Sequence, residues 1–202
     1  MNKEFYDKLD EMFPDPKCEL NYSNSYELLI ATMLSAQSLD KRVNQVTETL
    51  FKYSLEELAS LELEQIESII KPVGTYTKKA VYTKEIARSV LENYQGEVPN
   101  NREYIESLPG VGRKTANVML SHIFNEPAIA VDTHVLRTTT ILGITSSDNP
   151  VEVENILIEK IPENKLNRVG SQLVLFGRYI CKAKKPDCVN CLFNDKCKHK
   201  KN

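Results

Sequence analysis

Apolar residues recur every three to four positions along almost the whole chain, which is the period of an amphipathic helix. Tyr6, Leu9, Met12 and Phe13 form a first stripe, closed by Pro14 and Pro16. Residues 28–34 are apolar nearly all round, as expected of a helix buried at the centre of a fold. Val43, Val46 and Leu50 mark the next helix. Ile66, Ile69 and Ile70 mark a later one, with Glu62, Glu64 and Glu67 on its solvated face. A long helix is predicted over 77–94 with Ile86, Val90 and Tyr94 inward. Further stripes are Ala116, Met119, Leu120 and Ile123, then Val135, Leu136 and Leu142, then Val153, Ile156 and Leu157. A last helix over 165–180 buries Leu166, Val169, Leu173 and Phe176. Helix-start signals fall where these stripes need them. Asn24/Glu27, Ser54/Glu57, Asn100/Glu103 and Asn149/Glu152 have capping-box spacing, Asp40 and Asp132 are placed as caps, and Pro150 suits a first helical position. Only 128–131 looks strand-like, and so short a run reads as a buried connector. The pattern predicts an all-α fold of about ten short helices, with no repeat or long linker.

The turn at 108–119, LPGVGRKTANVM, is the chemically distinctive stretch. A short helix over 102–108 enters Pro109-Gly110-Val111-Gly112, and a second helix leaves from Arg113. The glycines permit close backbone approach, and the amides opening the second helix point outward as a phosphate site. Lys114 lies in the first turn of that helix, where the dipole favours a neutral, nucleophilic amine. Helix, Gly-Val-Gly turn and helix form a helix-hairpin-helix pattern, which reads DNA backbone without regard to sequence; a plain tight turn with a surface lysine is the simpler reading of these residues alone.

Charge narrows this. The 202 residues carry 26 Lys+Arg against 28 Asp+Glu, a net charge of -2, so a nucleic-acid surface must be locally basic. From Arg178 onward eight basic residues face two acidic ones. No signal peptide or membrane span is evident, which reads as a cytoplasmic protein. Four of the five cysteines, Cys181, Cys188, Cys191 and Cys197, fall in the last 22 residues as C-x6-C-x2-C-x5-C. In a reducing compartment that crowding indicates a metal centre, either a cluster or zinc. Cys18 stands apart as a plain thiol. The loop lysines Lys184 and Lys185 suit phosphate contact better than the end of the tail does.

LSAQSLD at 34–40, LPGVGRKTANV at 108–118, VDTH at 131–134 and the cysteine spacing occur in one order, with YQGEVPNNR before the hairpin and GRYIC at the first cysteine. Together they resemble bacterial endonuclease III, a family of helix-hairpin-helix DNA glycosylases with an iron-sulfur cluster, and the resemblance spans essentially the whole chain. It implies two helical lobes: a six-helix barrel over 21–126 containing the hairpin, and a cluster domain joining 1–20 to 127–202. It implies a [4Fe–4S] cluster on the four cysteines, catalytic Lys114 and Asp132, and DNA contacts at Gln37, Gly110, Gly112, Arg113, Thr75, His134, Lys184 and Lys185. Gln37 matches the glutamine that fills the space of an extruded base. At position 75 the family often has a leucine that wedges into the duplex; Thr75 departs from that, and Tyr76 is the neighbour able to share the role.

The implied activity is a bifunctional glycosylase/abasic-site lyase that excises oxidised pyrimidines from duplex DNA through a lysine Schiff base. It would act as a monomer near the nucleoid. A monofunctional mismatch glycosylase of the same superfamily would keep the aspartate and cluster but lack Lys114. A non-catalytic helix-hairpin-helix module would explain the hairpin and tail but not Lys114 and Asp132 together.

Overall fold

The computed structural model describes residues 1–195 and 197; Lys196, Lys198, Lys200 and Lys201 of the basic tail lie outside the described residues. Among the described residues eleven α-helices follow in order: α1 Lys3–Met12, α2 Ser25–Leu34, α3 Asp40–Leu50, α4 Leu55–Ser60, α5 Leu63–Ile70, α6 Tyr76–Tyr94, α7 Arg102–Ser107, α8 Arg113–His122, α9 Thr133–Ile141, α10 Pro150–Lys160 and α11 Leu166–Leu175. A 3-10 turn at Glu163–Lys165 precedes α11, and a π turn at Phe176–Ile180 follows it. Among the described residues there is no strand, and no helix is long and apolar enough to cross a membrane. The fold class is all-α, as the periodicity indicated.

The chain divides into two compact units, one contiguous over Cys18–Phe124 and one built from Met1–Lys17 and Asn125–Asn202. In the contiguous unit α2 is the central helix. Leu28, Leu29, Ile30, Ala31, Met33 and Leu34 are all buried, and α2 packs on α3, α6 and α8. The other helices of the unit supply Val43, Leu50, Leu58, Ile66, Ile86, Val90, Ile105, Ala116 and Met119. In the other unit Leu9 of α1 packs with Val135, Leu157, Leu173 and Phe176. The Gln172 amide donates to Asp10 Oδ1 at 2.8 Å and to the Phe13 carbonyl at 3.1 Å, tying α11 to α1.

Most caps form where the pattern placed them. Ser54 and Glu57 make a reciprocal box, and Asn149 accepts from Val151 N at 2.9 Å with Pro150 as first helical residue. Several differ in detail. Asp40 is the first residue of α3 and not its cap; Leu39 occupies that position and makes no side-chain cap bond. Asn101, not Asn100, caps α7 by accepting from Tyr104 N at 3.0 Å. Glu27 accepts from Ser23 N, one residue before its cap, and Glu152 accepts from Ser147 Oγ, two residues before its cap, so neither box closes on the cap residue's own N–H. Tyr94 is exposed, because α6 outruns the core and the ring instead meets Tyr104, centroids 4.5 Å apart. The expected last helix is broken into a 3-10 turn, α11 and a π turn. The connector at 128–131 has no regular secondary structure, with Ala128, Ile129 and Val131 buried.

Candidate active site and nucleic-acid interface

The hairpin has two different glycines. Gly110 has φ +72°, and a Cβ there would overlap the Tyr82 ring, so the turn packs directly against that ring. Gly112 has ordinary extended backbone, and a Cβ there would meet nothing within 4 Å. Gly112 caps α8 without a side-chain bond. The amide end of the helix is therefore approached over open space, the condition for backbone N–H groups to meet a phosphate. Gly110, Gly112, Arg113 and Lys114 are all exposed. The two helices are locked by Arg102, which donates to Glu106 at 2.9 Å and to the fully buried Asn117 Oδ1 at 2.6 Å. Gly110→Ala is expected to cost about 1–3 kcal/mol, through both the left-handed backbone and the Tyr82 overlap, and to lower the melting temperature and DNA affinity together. A thermal melt like that of the unaltered protein would show that Tyr82 moves aside.

Gln37 and Thr75 lie on two loops joined by one lysine. Lys79, 3 % exposed, donates its ammonium to the Leu34 carbonyl at 2.8 Å and the Ala36 carbonyl at 2.6 Å, at the C-terminal end of α2. It also reaches Ser38 Oγ at 3.5 Å, and Ser38 Oγ accepts from Gly74 N at 3.0 Å. Burial pushes the Lys79 ammonium below the usual lysine range. Those carbonyls are the negative end of the helix dipole, which offsets part of that desolvation. Gln37 and Thr75 both have left-handed backbone, φ 56° and 54°, and both are exposed.

Asp132 caps α9 with one oxygen. Oδ1 accepts from His134 N and Val135 N, each at 2.9 Å. Among the described residues Oδ2 takes no hydrogen bond, so the carboxylate is held in place with one oxygen left for chemistry. His134 packs closely on the π turn: a Cβ on Gly177 would fall 2.7 Å from His134 Cβ. His134 Nδ1 lies 3.3 Å from Arg137 Nη2. Arg137 also donates to the Gly177 carbonyl at 2.8 Å and the Cys181 carbonyl at 3.0 Å, joining α9 to the start of the cysteine loop.

Cys181, Cys188, Cys191 and Cys197 are free, half-buried thiols lining a single cavity of about 190 Å³, together with Arg137, Phe176 and Phe193. Burial pushes the Cys181 and Cys191 thiols up, neighbouring thiols add to that, and the Arg137 guanidinium works the other way at Cys181. Among the described residues no group of three or more His, Cys, Asp or Glu is arranged to hold a single metal ion. Lys184 and Lys185 are exposed on the loop between the first two cysteines, and Cys18 lies elsewhere, against the core of the contiguous unit.

Lys79, the Arg102–Asn117 lock and Arg137 were not singled out by motif. Each acts on groups distant in sequence, and a lone lysine or arginine in a charged helix reads first as solvated.

The fold and its hairpin define a helix-hairpin-helix DNA-repair protein: the chain belongs to the HhH-GPD superfamily of base excision DNA repair proteins, whose profile matches residues 30–163. It is similar to endonuclease III of Bacillus subtilis (strain 168), 46% identical over 188 residues that make up 92% of this chain and 86% of that protein. It is 42% identical to endonuclease III of Escherichia coli (strain K12) over 206 residues, 99% of this chain and 98% of the relative. Among solved structures it matches a trapped endonuclease III–DNA covalent intermediate, an estranged-adenine complex, with a TM-score of 0.91 and 41% identity, over 98% of this chain and 97% of that one. A non-covalent endonuclease III–DNA complex matches at the same TM-score of 0.91, over 98% of this chain and 96% of the other. The family expected from the motifs is the family found.

Proposed function

We propose that this protein is a bifunctional DNA glycosylase and abasic-site lyase, acting as a monomer on oxidised pyrimidines in duplex DNA in the cytoplasm. The observation that carries the reading is the exposed Lys114 in the first turn of a helix whose N-terminus carries no side-chain cap. Gly110 and Gly112 let a phosphate approach that helix end. A nucleophilic amine is thus presented next to where the DNA backbone binds.

A damaged base stacked in the duplex cannot be attacked, so its nucleotide is first extruded, at lower cost where the lesion weakens pairing. Gln37 enters the space left behind, while Thr75, Arg113, His134, Lys184 and Lys185 contact the strands. The Lys114 amine, having lost its proton, attacks C1′ as the C1′–N bond breaks and the base leaves with the electron pair. The sugar ring then opens to an imine with Lys114. The imine acidifies C2′, loss of a C2′ proton drives β-elimination, and the 3′ phosphate departs. Asp132, fixed by its capping bonds, stabilises the positive charge developing on the sugar and serves in proton transfer. Borohydride tests this directly, because it reduces an imine to a stable amine. Incubated with duplex containing an abasic site, the protein is expected to give a covalent adduct that survives denaturation; free, uncut DNA would sink the proposal.

We assign a [4Fe–4S] cluster to Cys181, Cys188, Cys191 and Cys197. Four thiols lining one cavity, in C-x6-C-x2-C-x5-C spacing, supply the all-thiolate donor set that such a cluster takes. Bound there, the cluster would crosslink the loop that carries Lys184 and Lys185. Protein purified anaerobically is expected to be yellow-brown, with about four iron and about four acid-labile sulfide per chain. Stoichiometric zinc without iron would rule the assignment out. Cys188→Ser should lower soluble yield and weaken DNA binding, since the loop loses its crosslink.

A further inference from the structure

We propose that Leu39 is the apolar wedge that enters the base stack of damaged duplex DNA, supplying from the loop after α2 what Thr75 does not supply from the loop before α6. This rests on the reading of the protein as an enzyme of duplex DNA.

Leu39 is 72 % exposed, although it is a large apolar residue. Scattered surface leucines are ordinary, so exposure alone says little. Its position says more. Leu39 is two residues from Gln37, which follows into the space of the extruded base. It also sits at the cap of α3, with φ -75° and ψ 138° and no side-chain cap bond. Leucine is among the poorest residues there, where Ser, Thr, Asn or Asp would satisfy a helix amide. Neither burial nor capping accounts for it, so the fold gains nothing from leucine at this point.

The loop is nonetheless held firmly. The Lys79 ammonium grips the Leu34 and Ala36 carbonyls, and Ser38 N donates to the Ser35 carbonyl at 3.0 Å. Ser38 Oγ accepts from Gly74 N at 3.0 Å, and a Cβ on Gly74 would stand 3.3 Å from the Gln37 carbonyl. The two loops are thereby one unit, and a wedge must be carried on such a fixed support to open a stack. Thr75 is the weaker candidate on the same unit. Its hydroxyl donates to the Gly74 carbonyl at 2.7 Å, and its branched side chain sits on a left-handed backbone. It presents one methyl group where Leu39 presents an isobutyl group. Apolar side chains that enter a base step act by the surface they bury as the stack opens.

The test uses the full chain and a duplex with a tetrahydrofuran abasic analogue beside 2-aminopurine, whose fluorescence rises on unstacking. The unaltered protein is expected to bind and brighten this duplex. Leu39→Ala should bind it about tenfold more weakly, from the apolar area lost, and should lose most of the brightening. Its loss on the same strand unpaired should be much smaller, since no stack has to open there. Leu39→Met should recover both signals, which a role in fold stability alone would not predict. Leu39→Ala with undiminished affinity and brightening overturns the proposal, and a loss seen instead in Thr75→Ala or Tyr76→Ala moves the wedge to the other loop. If the unaltered protein gives no borohydride adduct with abasic DNA, the parent reading fails; an adduct together with a silent Leu39→Ala removes only the wedge.

Discussion

Lys114→Ala is expected to abolish the borohydride adduct and strand cleavage at abasic sites while the protein still binds DNA. Alanine is the best helix former, and Lys114 is exposed in α8, so the helix and its open N-terminus survive the change. The hairpin amides, Arg113 and the loop lysines, proposed to meet phosphate, are left unchanged. What disappears is the amine proposed to form the imine, and with it the acidified C2′ position. Quantifying adduct and cleaved strand after short incubation, alongside a gel-shift assay, checks both halves. An adduct formed at the unaltered rate would mean that another amine is the nucleophile, and the assignment of Lys114 would be wrong.

Asp132→Asn should cut base excision by about 10²–10⁴-fold, the range typical of lost acid–base help. The amide oxygen of asparagine can still accept from His134 N and Val135 N, so α9 keeps its cap and the charge alone is removed. Asp132→Ala removes both, and should also lower stability by about 1 kcal/mol. The comparison of the two variants by thermal melt separates capping from catalysis. The substrate separates the two chemical roles. If Asp132 works mainly on base departure, Asp132→Asn retains more activity on a pre-formed abasic site than on a damaged base. Equal losses on both point to proton transfer as its main task.

Much of this was legible because it is local. The stripe at 28–34 and the caps at Ser54, Asp132 and Asn149 depend on residues within one or two turns. Gly-Val-Gly followed by Arg-Lys announces a hairpin for the same reason. Where two candidates stood side by side, as Asn100 and Asn101 do, spacing chose the wrong one, because the capping bond depends on which residue has extended backbone. Lys79 was illegible for a different reason. Its partners are the carbonyls of Leu34 and Ala36, more than forty residues earlier, and nothing near it in the chain marks it as buried. Leu39 is the converse. It lies one helical turn before Val43, so the period would fold it into the apolar stripe, whereas the extended backbone at the cap turns it out to solvent. The thiol cavity needed the fold too: spacing fixes how many candidate ligands there are, and only the fold shows that Cys181, Cys188, Cys191 and Cys197 line one cavity.

The order in which the parts leave the ribosome follows from how the units divide the sequence. Met1–Lys17 emerges before the contiguous unit, yet α1 belongs with Asn125–Asn202, and the whole of Cys18–Phe124 is synthesised in between. At about 5–20 residues per second, the apolar face carrying Tyr6 and Leu9 has no α11 to pack on for roughly 10–30 seconds. The stretch holding Lys114 is complete before Asp132 has been translated, and Cys181, Cys188, Cys191 and Cys197 follow both. A nascent chain arrested after residue 124 therefore carries the whole DNA-reading hairpin together with an N-terminal helix still without its partner. Synthesis itself thus places phosphate binding ahead of both the carboxylate and the thiols, and it leaves the first helix as the segment that a chaperone would have most reason to hold.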